Sequence, residues 1–519
     1  MLAAMSTTPA PPPDRAASGA GAPSAGPVRE RGDACPGALR LHAADDGALA
    51  RIRLPGGLLT ARQAELLGAL AEELGDGHLD LTSRGNVQLR GLPAGCGGRL
   101  AGRLRAGGLL PSERHDRIRN VAASPLCGLD GRPPGPASGP DPLAEADSVS
   151  GPDGAPAGLG AAPADVQAWA RELDGLLCAE DISEAVPGVS ANLAGLSGRF
   201  LFGLDDGRGD IAALRPDVTL IASGSGRAAL CFGTEGPGVR ISAADAPRAA
   251  VLAAAEFLAV REACGSTAWR VRELPPEQRP SAARLADRLT TAGITCTPLP
   301  SLRIPLGEPT GPGLVTGPDG VCALSVTAPL GRLTAAQWRL VTRMAGEQGD
   351  GTIRVTPWRG LVVPGFPAAK AAGLLADLAH AGFVTSAESA WHRAGACAGR
   401  PGCAKSLADV RADAAACLAG GQPSGAAALP VGPVLPLLPV YWSGCERRCG
   451  HPGGGPWVDV LATEGGYRVT VQDGGGRGSS GGSSSEQHGG KQDGRQDAGP
   501  RTVTAAGLAG AVAAARTTT

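Results

Sequence analysis

The feature that most constrains the fold is that the chain repeats itself. Shifted by 274 positions, residues 55–93 align without a gap with residues 329–367, and about fifteen of the thirty-nine positions are identical. L-P-G-G-L-L-T-A-R-Q from Leu54 meets A-P-L-G-R-L-T-A-A-Q from Ala328. Gly75-Asp76-Gly77 meets Gly349-Asp350-Gly351, Thr82 meets Thr356, Gly91 meets Gly365 and Pro93 meets Pro367. Both stretches are rich in Gly, Leu and Ala, which favours coincidence, but the shared Thr, Gln and Asp positions do not follow from that bias. A period this long is not a solenoid. It means a duplicated domain and a pseudo-two-fold molecule.

The repeated unit reads as strand, helix, hairpin, helix. Ala50 to Leu54 alternates like a strand, and Pro55-Gly56-Gly57 turns the chain. Thr60 is the expected N-cap of a helix through Gln63, Leu66, Leu67, Leu70 and Leu74. Strands at Leu79–Thr82 and Val87–Arg90 follow, then a helix near 96–107. Between the copies lies a different unit. It has a surface excursion at about Gly131–Ala162, helices at Ala164–Cys178 and Ala244–Glu262, and strands at S-G-R-F-L-F-G-L-D-D-G from Ser197 and D-V-T-L-I-A from Asp217. The expected division is a disordered arm at 1–37, a half-domain at 38–108, a module at 111–265, a second half-domain at 310–386, a second module at 390–472, a disordered linker at 474–501 and a tail at 502–519.

The second module carries two close cysteine pairs. Cys397 and Cys403 stand six apart, Cys445 and Cys449 four apart, with Gly395, Gly399, Gly402, Gly444 and Gly450 around them. Four thiolates in two pairs suit a 4Fe–4S cluster, one thiolate per iron. A four-cysteine zinc site usually has two-residue gaps inside each pair. Disulfides need an oxidising compartment, and unrelated buried thiols are the remaining reading. A helix expected at Ser406–Ala419 would turn its N-terminal dipole towards such a cluster. Trp457–Val471 reads as a hairpin, and Val503–Ala514 as a short docking helix.

Arg84, Arg90, Arg114, Arg117, Arg119 and Arg199 fall at turns beside these strands. On one face they would suit a polyanionic ligand, because arginine grips carboxylates with two parallel hydrogen bonds. Singly, each also reads as a solvated surface charge. The formal net charge of −1 gives no general attraction to nucleic acid or membrane. No apolar run reaches the length of a membrane span and no signal-peptide core is visible, so the expected location is a reducing cytoplasm.

The duplicated half-domain, R-N-V-A-A-S-P, R-F-L-F-G-L-D-D-G and C-x5-C…C-x3-C occur in the order seen in the sulfite and nitrite reductase family, and the chain resembles that family over roughly 38–472. Within it, S-G-C-E-R-R-C-G-H-P from Ser443 is most similar to the precorrin-3B synthases of aerobic cobalamin synthesis. The resemblance implies an α+β, pseudo-two-fold fold, with two ferredoxin-like half-domains and two cluster- and tetrapyrrole-binding α/β modules. It implies a 4Fe–4S cluster on Cys397, Cys403, Cys445 and Cys449, and a non-haem iron. The implied reaction is a monooxygenase conversion of precorrin-3A to precorrin-3B, with C20 hydroxylation and γ-lactone formation. It would use O2 and an external electron donor, reduced nicotinamide or ferredoxin-type. Arg84, Arg119 and Arg199 fall at tetrapyrrole-contacting positions. His451 is the nearest ligand or proton donor for the iron, with His115 and His392 behind it; a histidine beside a Pro-Gly turn also reads as structural. Where a second cation of the reductase K-F-K motif is expected, Leu201 stands.

Two other functions fit parts of the sequence. A sirohaem-dependent sulfite or nitrite reductase uses the same scaffold. A non-catalytic iron–sulfur sensor needs neither the duplication nor the arginines. No G-x-G-x-x-G follows a strand and opens a helix, so no flavin or nicotinamide domain is expected within the chain.

Overall fold

A computed structural model of the chain describes residues 33, 35–135, 165–189, 192–224, 226–304, 306–420, 437–451, 455–473, 501–504 and 507–517. Nearly all of the expected N-terminal arm, most of the 131–162 excursion and the 474–499 linker lie outside them.

The duplication is visible turn by turn. Thr60 accepts from the Gln63 N–H (3.2 Å), and the Gln63 side chain accepts from the Thr60 N–H (3.1 Å). Thr334 and Gln337 repeat this capping box at 3.1 and 3.0 Å. The capped helices, Ala61–Glu73 and Ala335–Glu347, bury Ala64, Leu67, Leu70 and Ala71 on one and Trp338, Val341, Met344 and Ala345 on the other. Those spacings give each helix one apolar stripe, and the stripes pack against each other in a single core built from both copies.

The two copies also exchange strands. The first sheet runs His42–Ala44, Gly47–Ile52, Val87–Leu92, His78–Leu81 and then Arg332–Thr334, which belongs to the second copy. The second runs Gly313–Thr316, Val321–Thr327, Gly360–Pro367, Thr352–Val355 and then Leu58–Thr60 from the first. The registers correspond: Thr334 pairs with His78 and Thr60 with Thr352. Each copy closes the other's sheet edge, which would otherwise offer unpaired backbone groups.

Two α/β modules flank this core. The first has three parallel strands, Val121–Ala123, Phe202–Asp205 and Val218–Ala222. Antiparallel strands Arg227–Phe232, Glu235–Ser242 and Cys296–Arg303 extend it. The helix Ala246–Ala263 is buried along most of its length against this sheet, in one core with Val166–Cys178. The second module repeats the parallel trio with Ala394–Ala396, Val440–Ser443 and Trp457–Thr463, then adds antiparallel Gly466–Gln472 and Arg501–Val503. The loops after Val121–Ala123, Ala394–Ala396 and Val440–Ser443 touch the half-domains, through Arg354, Arg90 and Arg359 respectively.

One expected helix is shorter than the sequence implied. It spans Val410–Gly420, not Ser406–Ala419. Residues 406–408 are drawn instead into tying the cysteine loops together: Ser406 N–H donates to the Cys403 carbonyl (2.9 Å), Leu407 N–H to that of Gly444 (2.8 Å), and the Ser406 hydroxyl to that of Ala408 (2.7 Å).

Candidate functional site

The four cysteines hang on the ends of two adjacent parallel strands. Cys397 follows Ala394–Ala396, and its N–H donates to the Trp442 carbonyl (2.9 Å). Cys445 and Cys449 follow Val440–Ser443. The Gly444 N–H donates to the Cys397 sulfur at 3.3 Å, the kind of bond that stabilises a thiolate. Gly444 has no room for a side chain: a Cβ there would lie 1.8 Å from the Ser406 hydroxyl. Burial pushes the Cys449 thiol up, Arg447 draws it down, and Cys445, Cys397 and Cys403 push it up again. All four thiols therefore share one electrostatic neighbourhood. All thirteen cysteines are free thiols.

A four-cysteine zinc site would bring sulfurs to about 3.8 Å of one another, from 2.3 Å bonds in a tetrahedron. Among the described residues the three-ligand group that converges to within 4.8 Å is not a cysteine group but Asp205, Asp206 and Asp210. No three of the four cysteine sulfurs converge to within that distance among the described residues. The donors, the amide-to-sulfur bond and the small residues fit a 4Fe–4S cluster.

The first module repeats this geometry without the sulfur. Ser124 N–H donates to Leu204 as Cys397 N–H does to Trp442, and Asp206 N–H donates to the Ser124 hydroxyl (3.2 Å) as Gly444 N–H does to the Cys397 sulfur. The loop that follows is organised by carboxylates. Asp205 accepts from the N–H groups of Gly207, Gly209, Ile211 and Ala212 at 2.8–3.0 Å. Asp206 takes both oxygens to Arg208. Asp210 accepts from Ser124 (2.6 Å) and keeps one oxygen without a partner. Burial, with Asp205 beside it, pushes Asp210 up to about 8. Asp205 and Asp206 have spent their lone pairs on these donors, so the trio braces the loop from inside.

The predicted arginines separate into two kinds. Arg119 is buried and committed: Asp174 accepts from it at 2.6 and 2.8 Å, and the Leu109 carbonyl at 3.0 Å. Arg90 is likewise held by Asp46 and the Gly402 carbonyl. Arg117 meets Asp33, and Arg114 and His115 line an outer cavity of about 680 Å³. Arg84 and Arg199 are different. Arg84 donates to the Gly198 carbonyl (3.3 Å), and Arg199 lies 4.8 Å over the Trp269 ring. Beside them the structure adds Arg53 and Arg51, which the sequence reading passed over. Arg53 is fully buried and also donates to Gly198 (3.3 Å); Arg51 reaches Gln88 (3.1 Å). Their signal was the R-I-R alternation on one strand face. Among the described residues none of these four has a carboxylate salt-bridge partner. Burial, then Arg270, Arg53 and Arg51, pushes Arg84 down to about 9; burial, then Arg51, pushes Arg53 down to about 10.

The second half-domain adjoins both the Arg84 turn and the last cysteine. The Arg84 turn abuts the second half-domain so closely that a Cβ on Gly85 would lie 2.9 Å from the Val355 carbonyl oxygen. Four residues on, Arg359 donates to the Gly450 carbonyl (2.8 Å), just after Cys449. Leu201 is buried with Ala122 and Ile211, and Trp358 packs against them. His451 is exposed and stacked on Trp457 at 5.2 Å. His392, on the far side, is pushed down to about 4 by burial and by Arg393 and Arg516.

Comparison with known proteins agrees with this architecture. Residues 42–95 and 316–381 match the Nitrite/Sulfite reductase ferredoxin-like half domain. A ferredoxin–nitrite reductase of Synechococcus elongatus is 38% identical over 84 residues, 16% of this chain and 16% of its own. A precorrin-3B synthase of Sinorhizobium sp is 41% identical over 71 residues, 14% of this chain and 16% of its own. These matches span less than a fifth of the relatives' length. The solved NirA protein of Mycobacterium tuberculosis shares the fold at a TM-score of 0.55 and 17% identity, over 89% of this chain and 79% of that one. No helix among the described residues is long and apolar enough to cross a membrane. The chain is thus built on the nitrite/sulfite reductase fold, with its ferredoxin-like half domain present twice.

Proposed function

We propose that the chain is an oxidoreductase that binds a polycarboxylate tetrapyrrole between its halves and acts on precorrin-3A, giving precorrin-3B with O2 and electrons from an external donor. The observation that carries this reading is the group Arg51, Arg53, Arg84 and Arg199, four cations without a salt-bridged carboxylate among the described residues; Arg53 is buried, Arg51 and Arg84 are partly withdrawn from water, and Arg199 is exposed at the group's rim. Burying uncompensated charge is costly, so such a group is poised for anions supplied from outside. A precorrin has several carboxylates. A 4Fe–4S cluster on Cys397, Cys403, Cys445 and Cys449 would supply one-electron transfer. The arginines would orient the macrocycle by its carboxylates, and the apolar cluster of Leu201, Ile211 and Trp358 would help to keep water from it. Arg119 supports this site from behind through Asp174. His451 stays a candidate proton donor, and a non-haem iron belongs to the same reading, as does a cytoplasmic location.

The second reading is a sirohaem-dependent nitrite or sulfite reductase, favoured by the name of the Synechococcus relative, a ferredoxin–nitrite reductase. Leu201 weighs against it. It stands where the reductase motif has a second cation, and its side chain is turned into an apolar cluster with Ala122 and Ile211.

The deciding experiment is absorption and EPR spectroscopy on anaerobically purified protein, with iron, sulfide and tetrapyrrole assayed on the same sample. Iron–sulfur absorption without sirohaem, followed by conversion of added precorrin-3A in the presence of O2, supports the synthase. Stoichiometric sirohaem overturns it in favour of the reductase.

A further inference from the structure

At two left-handed positions the first copy has glycine and the second a residue with a side chain, Gly56 against Leu330 and Gly85 against Arg359. At the turn between His78–Leu81 and Val87–Leu92 stands Gly85, with φ +67°, and 274 positions later stands Arg359, with φ +59°. Both are left-handed, a conformation that suits glycine and disfavours a residue with a side chain. Glycine is therefore sufficient for the turn, and the strain at Arg359 is tolerated for what its side chain does.

That side chain crosses to the last cysteine of the set. Its Nη2 donates to the Gly450 carbonyl at 2.8 Å, and its guanidinium lies 5.6 Å from the centre of the Tyr441 ring. Tyr441, almost fully buried, donates its hydroxyl to the Cys449 carbonyl at 2.6 Å. Two consecutive carbonyls of the cysteine loop are thus gripped by two stacked side chains from different units. Three glycines leave space for the pair. A Cβ would lie 2.3 Å from the Arg359 Cδ at Gly331, 2.9 Å from the Tyr441 ring at Gly395, and 2.8 Å from the Tyr441 hydroxyl at Gly450. Cys449 is the most exposed of the four cysteines, and no strand follows it directly to hold it.

We propose that Arg359 is a positioning residue, acting through Tyr441 and the Gly450 carbonyl to hold Cys449 in place relative to the other three cysteines. The proposal rests on the reading of those four cysteines as cluster ligands. Arg359 touches neither a sulfur nor substrate. It fixes the backbone that presents one sulfur, and it ties that backbone to the turn that adjoins the Arg84 site.

The test compares the full chain with its Arg359→Gly and Arg359→Lys variants. Arg359→Gly installs the residue that the first copy already uses at this turn, so the backbone strain is relieved and the variant melts no lower than the parent. In iron-free protein, alkylation of Cys449 by iodoacetamide, read by mass spectrometry, is expected to quicken about three- to tenfold, the loss of one such hydrogen bond, while Cys445 keeps its rate. In iron-loaded protein the reduced-state EPR g values shift. Arg359→Lys, which keeps the charge but not the planar fork, behaves like Arg359→Gly. The proposal is overturned if Cys449 reacts at the parent rate, or if the melting temperature falls and all four cysteines quicken together. If no cluster assembles in the parent, the functional reading fails, but the alkylation rates still report on the clamp itself.

Discussion

Trp338 donates its indole N–H to the carbonyl of Ala64, the residue 274 positions before it and its own counterpart in the repeat, at 2.6 Å. Two symmetry-related residues touch each other only beside the axis that relates them. The two capped helices therefore cross on the pseudo-two-fold axis, and Gly68 makes room for the indole: a Cβ there would lie 3.0 Å from the ring. Replacing Trp338 by Ala is expected to cost about 3–5 kcal/mol. Because the core is shared by both copies, urea unfolding followed by fluorescence and by far-UV circular dichroism should shift to lower denaturant as one transition, not two.

Cys403→Ser removes one of the four proposed iron ligands from a loop held by backbone contacts that the sulfur does not make. Iron–sulfur absorption per chain is expected to fall about tenfold, with the circular dichroism spectrum unchanged. Cys417→Ser, in the helix behind the loops, should leave the absorption at the parent level.

Arg84 and Arg119 should part company on mutation. Arg119→Met leaves Asp174 without its partner, and since Asp174 is partly exposed the cost is about 2–3 kcal/mol by denaturant titration. Arg84→Met removes a half-buried cation that has no such partner, so the melting temperature should not fall. Its affinity for a polycarboxylate porphyrin such as uroporphyrin, measured by fluorescence quenching, should drop about tenfold or more.

The protonated Asp210 predicts an unusual dependence on pH. Its folded-state value, about 8, lies above the value of about 4 expected in the unfolded chain, so the folded protein holds a proton that the unfolded chain releases. Stability contributed here is full below pH 4 and is lost as pH rises towards 8, by at most on the order of 1 kcal/mol per pH unit. Asp210→Asn keeps the neutral form at every pH. Denaturant midpoints of the parent should fall between pH 5.5 and 7.5, and those of the variant should fall less.

Much of this architecture was written locally. The Thr-x-x-Gln capping boxes, the 274-residue register and the four cysteines are short-range patterns, and each marks its element without help from the rest of the fold. The exchange of Leu58–Thr60 and Arg332–Thr334 was not legible, because a three-residue strand has no periodicity to read. The antiparallel strands from Arg227 to Arg303 were missed for a related reason: G-P-G breaks the alternation in one of them, and the register shifts between Gly236 and Gly238. The arginines were the hardest to judge. Arg119 and Arg84 look alike in sequence, and only the presence of Asp174, 55 residues away, commits one and leaves the other. Leu201 was visible as a departure from the motif, whereas its burial beside Trp358 depends on a contact across the two halves.

The exchanged strands make each copy incomplete by itself. A chain holding a single copy of the half-domain would lack the fifth strand of its own sheet and would own a spare one. It could complete both only by pairing with a second identical chain. In this chain the same pairing is a property of one polypeptide, so the two sheet edges are closed without any association between subunits. Two halves of one chain need not be alike. Ser124 and Cys397 show the difference: one position holds a hydroxyl in a carboxylate brace, and its twin holds sulfur.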